Sequence, residues 1–162
     1  MLYPAQLYEN ELREKLMLCW YQPKYDWYFG GDYASIQIAD NHEQRRDFVH
    51  LNAHGNVDGY FSYEYSGVDK LMYSFLLIGF SETNSLFIGD ILNHITEMFK
   101  SNAQKLEFYA FSENPVNNLY EKVIKRYGGR KVGILRRHRY FNGKYHDCNI
   151  YEILNEDWHY KR

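Results

Sequence analysis

Between Lys70 and Gly129 the chain switches repeatedly between two hydrophobic periods, and this alternation limits its fold more than any other feature. Residues 70–80 are apolar almost throughout, as expected for a central strand covered on both faces. From a start near Asn84 or Ser85, the residues Phe87, Ile88, Ile91, Leu92, Ile95, Met98 and Phe99 recur at helical spacing and form one core-facing stripe. Residues 105–111 again read as a strand. Asn114-Pro115 then opens a second helix, with Asn as N-cap and Pro at the first helical position. Its buried face holds Val116, Leu119, Tyr120, Val123, Ile124 and Tyr127, and Gly128-Gly129 ends it. A strand–helix–strand crossover of this kind makes its two strands parallel.

The flanking segments add antiparallel strands. Residues 46–51 and 57–65 bracket the turn-rich Asn52-Ala53-His54-Gly55-Asn56 and read as a hairpin. Residues 131–140 and 147–154 read as a second hairpin around Asn142-Gly143. Ahead of them, residues 5–21 form a helix with Leu12, Leu16, Cys19 and Trp20 on one face, a Glu11–Lys15 pair one turn apart, and Pro23 ending it. Residues 25–29 read as a short helix or loop, and residues 34–38 show a brief apolar alternation. The expected class is α+β: a mixed, mostly antiparallel sheet with helices on both faces, formed by residues 1–162 as a single domain. Its 162 residues, 45% hydrophobic and 25% charged, suffice for one sizeable core.

The bulk numbers exclude several classes of function. A net charge of -2 argues against nucleic acid as a partner except through a local patch. No apolar run is long enough to span a bilayer, so no membrane partner is expected. The first residues lack the basic start and apolar run of a signal peptide. Two distant cysteines, Cys19 and Cys148, do not make a disulfide framework. A cytoplasmic location follows as the expectation. The seven histidines form no metal-ligand motif, so no metal site is expected. The 17 tyrosines are spread along the chain and fit an aromatic-rich core better than a stacking surface. Arg136-Arg137-His138-Arg139-Tyr140, with Lys144 and His146 across the turn, is a local basic hairpin that could meet phosphates.

Several stretches resemble the GNAT N-acetyltransferases. Val57-Asp58-Gly59-Tyr60 is similar to the family's I-V-G-Y strand. Residues 71–114 keep its strand, loop, long helix, strand and asparagine spacing. Asn114 to Lys122 resembles its N-x-x-A-x-x-L-Y-E-K helix, and Asn142-Gly143-Lys144-Tyr145-His146-Asp147 its closing hairpin. The family's pyrophosphate loop, Q/R-x-x-G-x-G/A, falls here on Thr83-Asn84-Ser85-Leu86-Phe87-Ile88, which holds no glycine.

The resemblance implies an acetyl-CoA-dependent transfer to an amine of a small molecule or a protein. It implies that Tyr120 protonates the leaving thiolate, a suitable task for a phenol of pKa about 10. Cofactor contacts would come from Ile78 and Phe80 at a strand end, where one backbone N–H polarises the thioester carbonyl. Further contacts would come from Thr83, Asn84, Ser85, Leu86, Phe87 and Ile88 around a helix start, and from Asn114. Gly79 fits either a close backbone approach or a bulge. Glu64, Glu107 and His50 are alternatives for a general base, with no choice among them. The other reading is a catalytically inactive module of the same shape that binds nucleic acid or protein. Homodimerisation is left open.

Overall fold

The computed structural model describes residues 1–19, 22–25, 27, 38, 44–81 and 85–160. The strands are β1 (Leu2–Pro4), β2 (Arg45–Leu51), β3 (Val57–Ser66), β4 (Leu71–Gly79), β5 (Lys105–Phe111), β6 (Arg130–Phe141) and β7 (Lys144–Leu154). The α-helices are α1 (Glu9–Cys19), α2 (Ser85–Ser101) and α3 (Asn117–Tyr127). The strands form one sheet in the order β1-β2-β3-β4-β5-β7-β6. Only β4 and β5 run parallel among the recorded pairs, so the sheet is mixed and mostly antiparallel. Among the described residues no helix is long and apolar enough to cross a membrane.

Contacts gather into two compact units. The first holds Met1–Tyr65 and Leu76–Ile95, and the second holds Ser66–Phe75 and Thr96–Arg162. In the first unit, β2 and β3 form the expected hairpin, with Phe48 opposite Phe61 and Val49 opposite Tyr60. Successive strand residues point to opposite faces. One face therefore sends Val49 and Tyr60 into a core with Leu12, Leu16 and Cys19 of α1. The other sends Phe48 and Phe61 against His94 of α2, at ring distances of 4.7 and 6.1 Å. Helices thus lie on both faces here.

The first helix begins later than expected. Residues Ala5–Tyr8 form a 3-10 turn, and α1 proper starts at Glu9. The Glu11–Lys15 pair is present at 4.0 Å, but Glu11 also accepts the Val57 N–H at 2.8 Å. That bond ties the helix to the start of β3. Of residues 25–29 and 34–38, only Tyr25, Trp27 and Ile38 lie within the described residues. Tyr25 closes a 3-10 turn at Pro23–Tyr25.

His94 and Tyr63 give this unit a pH response. Tyr63 Oη lies 2.8 Å from His94 Nε2. Burial raises the Tyr63 pKa, so the phenol keeps its proton and can donate it. Burial also lowers His94 from 6.5 to about 4, so the imidazole is neutral in the folded protein. The unfolded chain takes up a proton at this residue below about pH 6.5, and the folded chain does so only near pH 4. Stability should therefore be complete above pH 6.5 and fall between 6.5 and 4, by about 3 kcal/mol at most. Urea unfolding across that range should show the slope, and His94→Gln should flatten it.

In the second unit, β5 and β7 pair over the full length of β5, from Lys105–Leu154 to Phe111–Cys148. Phe108 stacks on Tyr151 at 5.4 Å, and Tyr120 of α3 meets both rings edge-on at 4.7 and 5.7 Å. Asn142 and Gly143 both take positive φ, 49° and 78°, as a two-residue hairpin turn requires. Gly128, at φ 84°, ends α3. A Cβ there would sit 1.9 Å from the Asp157 carbonyl oxygen, so this glycine is needed for space as well as for backbone angle.

Two expectations change. Asn114 is not the cap of α3. Its Oδ1 accepts the Val116 N–H two residues on, at 2.9 Å, and a short turn intervenes before the helix begins at Asn117. Strand β4 is central, yet only Met72 and Ile78 in it are fully buried. Its apolar run overstates its burial.

Candidate functional site

The parallel ladder between β4 and β5 covers two pairs only, Leu71–Lys105 and Met72–Leu106. Two residues later Ser74 takes φ 54°, left-handed for a residue with a Cβ. Such a residue breaks the regular pleat, and the ladder has no further pair beyond Met72–Leu106. The Ser74 Oγ lies 3.4 Å from Tyr109 Oη of β5. Beyond Leu106, β5 keeps β7 on one side. Its other edge is not in register with β4, so backbone groups there can pair with an extended ligand. Sequence reasoning placed the irregularity at Gly79. The better signal was Ser74, the one polar residue in the apolar run from Leu71 to Phe80.

At the far end of β4, in the first unit, backbone groups are already used. The Gly79 carbonyl accepts the Tyr25 hydroxyl at 2.9 Å, and the Phe80 N–H donates to the Asp58 carbonyl at 2.9 Å. The Phe80 amide is therefore occupied within the fold, and Ile78 is a core residue.

Helix α2 starts at Ser85, and its first turn carries no acidic residue. Free N–H groups and the positive end of the helix dipole favour an anion at such a terminus. Ser85 and Leu86 are exposed, Ile88 is half-buried, and Phe87 is buried. Phe87 packs on β3: a Cβ at Gly59 would lie 2.8 Å from its ring. The glycine of the Val57-Asp58-Gly59-Tyr60 stretch thus lets the helix start press onto the strand. Thr83 and Asn84 lie outside the described residues.

In the second unit, Asn117 is a hub that sequence reasoning missed. Its Nδ2 donates to the carbonyls of Phe111 and Asn114 at 2.7 and 2.8 Å, with Ser112 further off at 3.3 Å. Its Oδ1 accepts from Asn149 Nδ2 at 3.0 Å and from the Tyr151 hydroxyl at 2.9 Å. A polar residue one helical turn before Tyr120 on the inward face was the available clue. The hub fixes the β5–α3 connection and with it Asn114, which is 7% exposed. The Asn114 backbone and Oδ1 are engaged. Its Nδ2 has no partner among the described residues and can donate to a ligand. Tyr120 is 8% exposed between Phe108 and Tyr151.

The remaining candidates are largely engaged. His50 sits between Asp58 and Asp90, at 2.5 and 3.4 Å. Glu107 pairs with Lys105 at 3.1 Å. Glu64 is half-buried opposite Arg45. Cys148 is buried, and burial raises its pKa, which makes it a poor nucleophile.

Among the described residues, three α-helices and a seven-strand mixed sheet with a two-pair parallel ladder give the GNAT acetyltransferase fold. The chain is similar to the spermidine N-acetyltransferase SpeG of Vibrio cholerae in complex with CoA and spermine, with a TM-score of 0.74 and 19% identity over 97% of this chain and 96% of that one. A spermidine N-acetyltransferase SpeG K23–Y30 chimera from Vibrio cholerae and hSSAT matches at TM-score 0.66 and 22% identity, over 96% of each chain. A structure described as a probable acetyltransferase matches at TM-score 0.59 and 20% identity, over 71% of this chain and 64% of that one. No protein-family model matches the sequence, and no curated protein matches it.

Proposed function

We propose that this chain is an N-acetyltransferase that moves an acetyl group from acetyl-CoA to an amine. The observation that carries this reading is the short β4–β5 ladder, which ends after Met72–Leu106 and leaves the β5 edge beyond it without a recorded ladder partner. An unpaired strand edge offers N–H and C=O groups at the spacing of an amide-bearing arm such as pantetheine. The α2 amides around Ser85, Leu86, Phe87 and Ile88, with Thr83 and Asn84 before them, would take the pyrophosphate. Asn114 Nδ2 would donate to the cofactor. Tyr120 would return a proton to the departing thiolate, and the amine would lose its proton to a base or through water. When bound, acetyl-CoA supplies the activated acyl group. The solved polyamine acetyltransferases make spermidine and spermine the first acceptors to try.

A second reading has its own support. The segment from Thr83 to Ile88 has no glycine, and the Phe80 amide is taken. Both fit a binding module that kept the shape and lost the transfer.

Acetyl-CoA binding separates the two. At about a hundred times its Kd the cofactor should add about 2.7 kcal/mol of stability and raise Tm by several degrees. Calorimetry should give a saturable isotherm. No thermal shift and no heat at about millimolar acetyl-CoA would exclude the transferase.

A further inference from the structure

The described cation-rich surface of the second unit suggests a function apart from acetyl transfer. Residues 130–144 carry Arg130, Lys131, Arg136, Arg137, Arg139 and Lys144 and no carboxylate, in a chain whose net charge is -2. Five of these six lie on β6, the edge strand of the sheet, and Lys144 opens β7.

Two of the six are neutralised locally: Arg130 by Glu152 at 2.7 Å and Lys144 by Glu113 at 3.8 Å. Arg136, Arg137 and Arg139 are exposed and make no ion pair among the described residues.

The backbone presents Arg136 and Arg137 in a bulge, with Arg139 directly after it. Leu135 pairs with Cys148 and Arg139 with His146, so Arg136, Arg137 and His138 together face Asp147 alone. Arg137 takes φ 52°, a strained conformation for a side-chain-bearing residue. It is held there by its N–H donating to Asp147 Oδ1 at 2.8 Å. A bulge twists an edge strand and re-aims its side chains. Directly beside it, Tyr140 and Tyr145 form a cross-strand pair with ring centroids 5.1 Å apart, and they are 62% and 59% exposed.

We infer that this hairpin binds single-stranded nucleic acid: unpaired guanidiniums take the phosphates, and the exposed Tyr140–Tyr145 pair stacks a base. Charge complementarity selects the partner. A second copy of β6 would bring like charges together, and an acidic peptide would leave the aromatic pair without a flat ligand. Bulk charge opposes such a partner at long range, but three uncompensated arginines within four residues create a local attraction.

The test is fluorescence anisotropy with a labelled oligouridylate and an oligodeoxythymidylate, without acetyl-CoA. Three phosphate contacts predict a salt slope of about -2, or about a twentyfold weakening between about 50 and 200 mM KCl. The R136Q/R137N/R139Q variant should bind too weakly to measure, with unchanged Tm. Tyr140→Ala with Tyr145→Ala should weaken oligonucleotide binding about tenfold, keep the salt slope, and leave heparin binding unaltered. Should the triple variant melt early, R139Q alone must still flatten the slope by about 0.7. No binding at the lower salt overturns the proposal. So does binding that heparin or polyglutamate matches and that is indifferent to the tyrosine changes.

Discussion

Removing the Tyr120 hydroxyl should lower kcat for amine acetylation about a hundredfold and leave acetyl-CoA affinity within about threefold. The thiolate leaves only as it gains a proton, and a phenol close to it in pKa is well matched to donate one. Phenylalanine keeps the edge contacts with Phe108 and Tyr151 at 4.7 and 5.7 Å, so the packing of α3 survives. The readout is steady-state kinetics with spermidine, together with cofactor titration and a thermal melt of Tyr120→Phe. A variant with normal kcat would leave Tyr120 as a packing residue only. A variant that loses Tm and cofactor binding together would show that its hydroxyl serves the fold.

Replacing Asn117 by leucine should cost about 4 kcal/mol and lower Tm by about 10 °C. The side chain answers five polar groups, including the buried Asn149 amide and the Tyr151 hydroxyl. Each buried group left without a partner costs about 1–3 kcal/mol, and the gain from an added apolar side chain offsets only part of this. Asn118→Leu, one residue along and exposed, is the control and should change stability by less than about 0.5 kcal/mol. Adding Tyr151→Phe to Asn117→Leu should cost less than the two changes made separately, because they share a bond. Equal effects at 117 and 118 would dismiss the hub.

These two residues differ in how visible they are from sequence. Tyr120 stands in a helix with a regular apolar stripe and beside a Glu-Lys pair, so its placement can be read directly. Asn117 looks like any polar residue near a helix start. Its five partners come from β5, the following turn and β7, and no local pattern joins them. The same contrast holds along β4. Its strand character is plain from apolar continuity, whereas neither the end of its ladder with β5 after Met72–Leu106 nor the left-handed Ser74 two residues on is. The surroundings of the base candidates show the same contrast. Being a carboxylate or an imidazole on a strand does not reveal that His50 lies between two aspartates or that Glu107 already faces Lys105.

The sequence alone determined the order of elements from α1 to β7, the hairpin turns and the α+β class; the three-residue β1 at Leu2–Pro4 came only from the structure. Periodicity, glycine–asparagine turns and proline placement act over a few residues, where backbone sterics and solvent exposure decide the outcome. Only the tertiary structure decided where the β4–β5 ladder ends, which amides are occupied, how Asn117 ties its neighbours, and that three arginines stand without an ion pair among the described residues at and beside a bulge. Each of those depends on groups distant in sequence meeting at hydrogen-bond or ion-pair distance, and at that range a shift of one residue in register changes the partner.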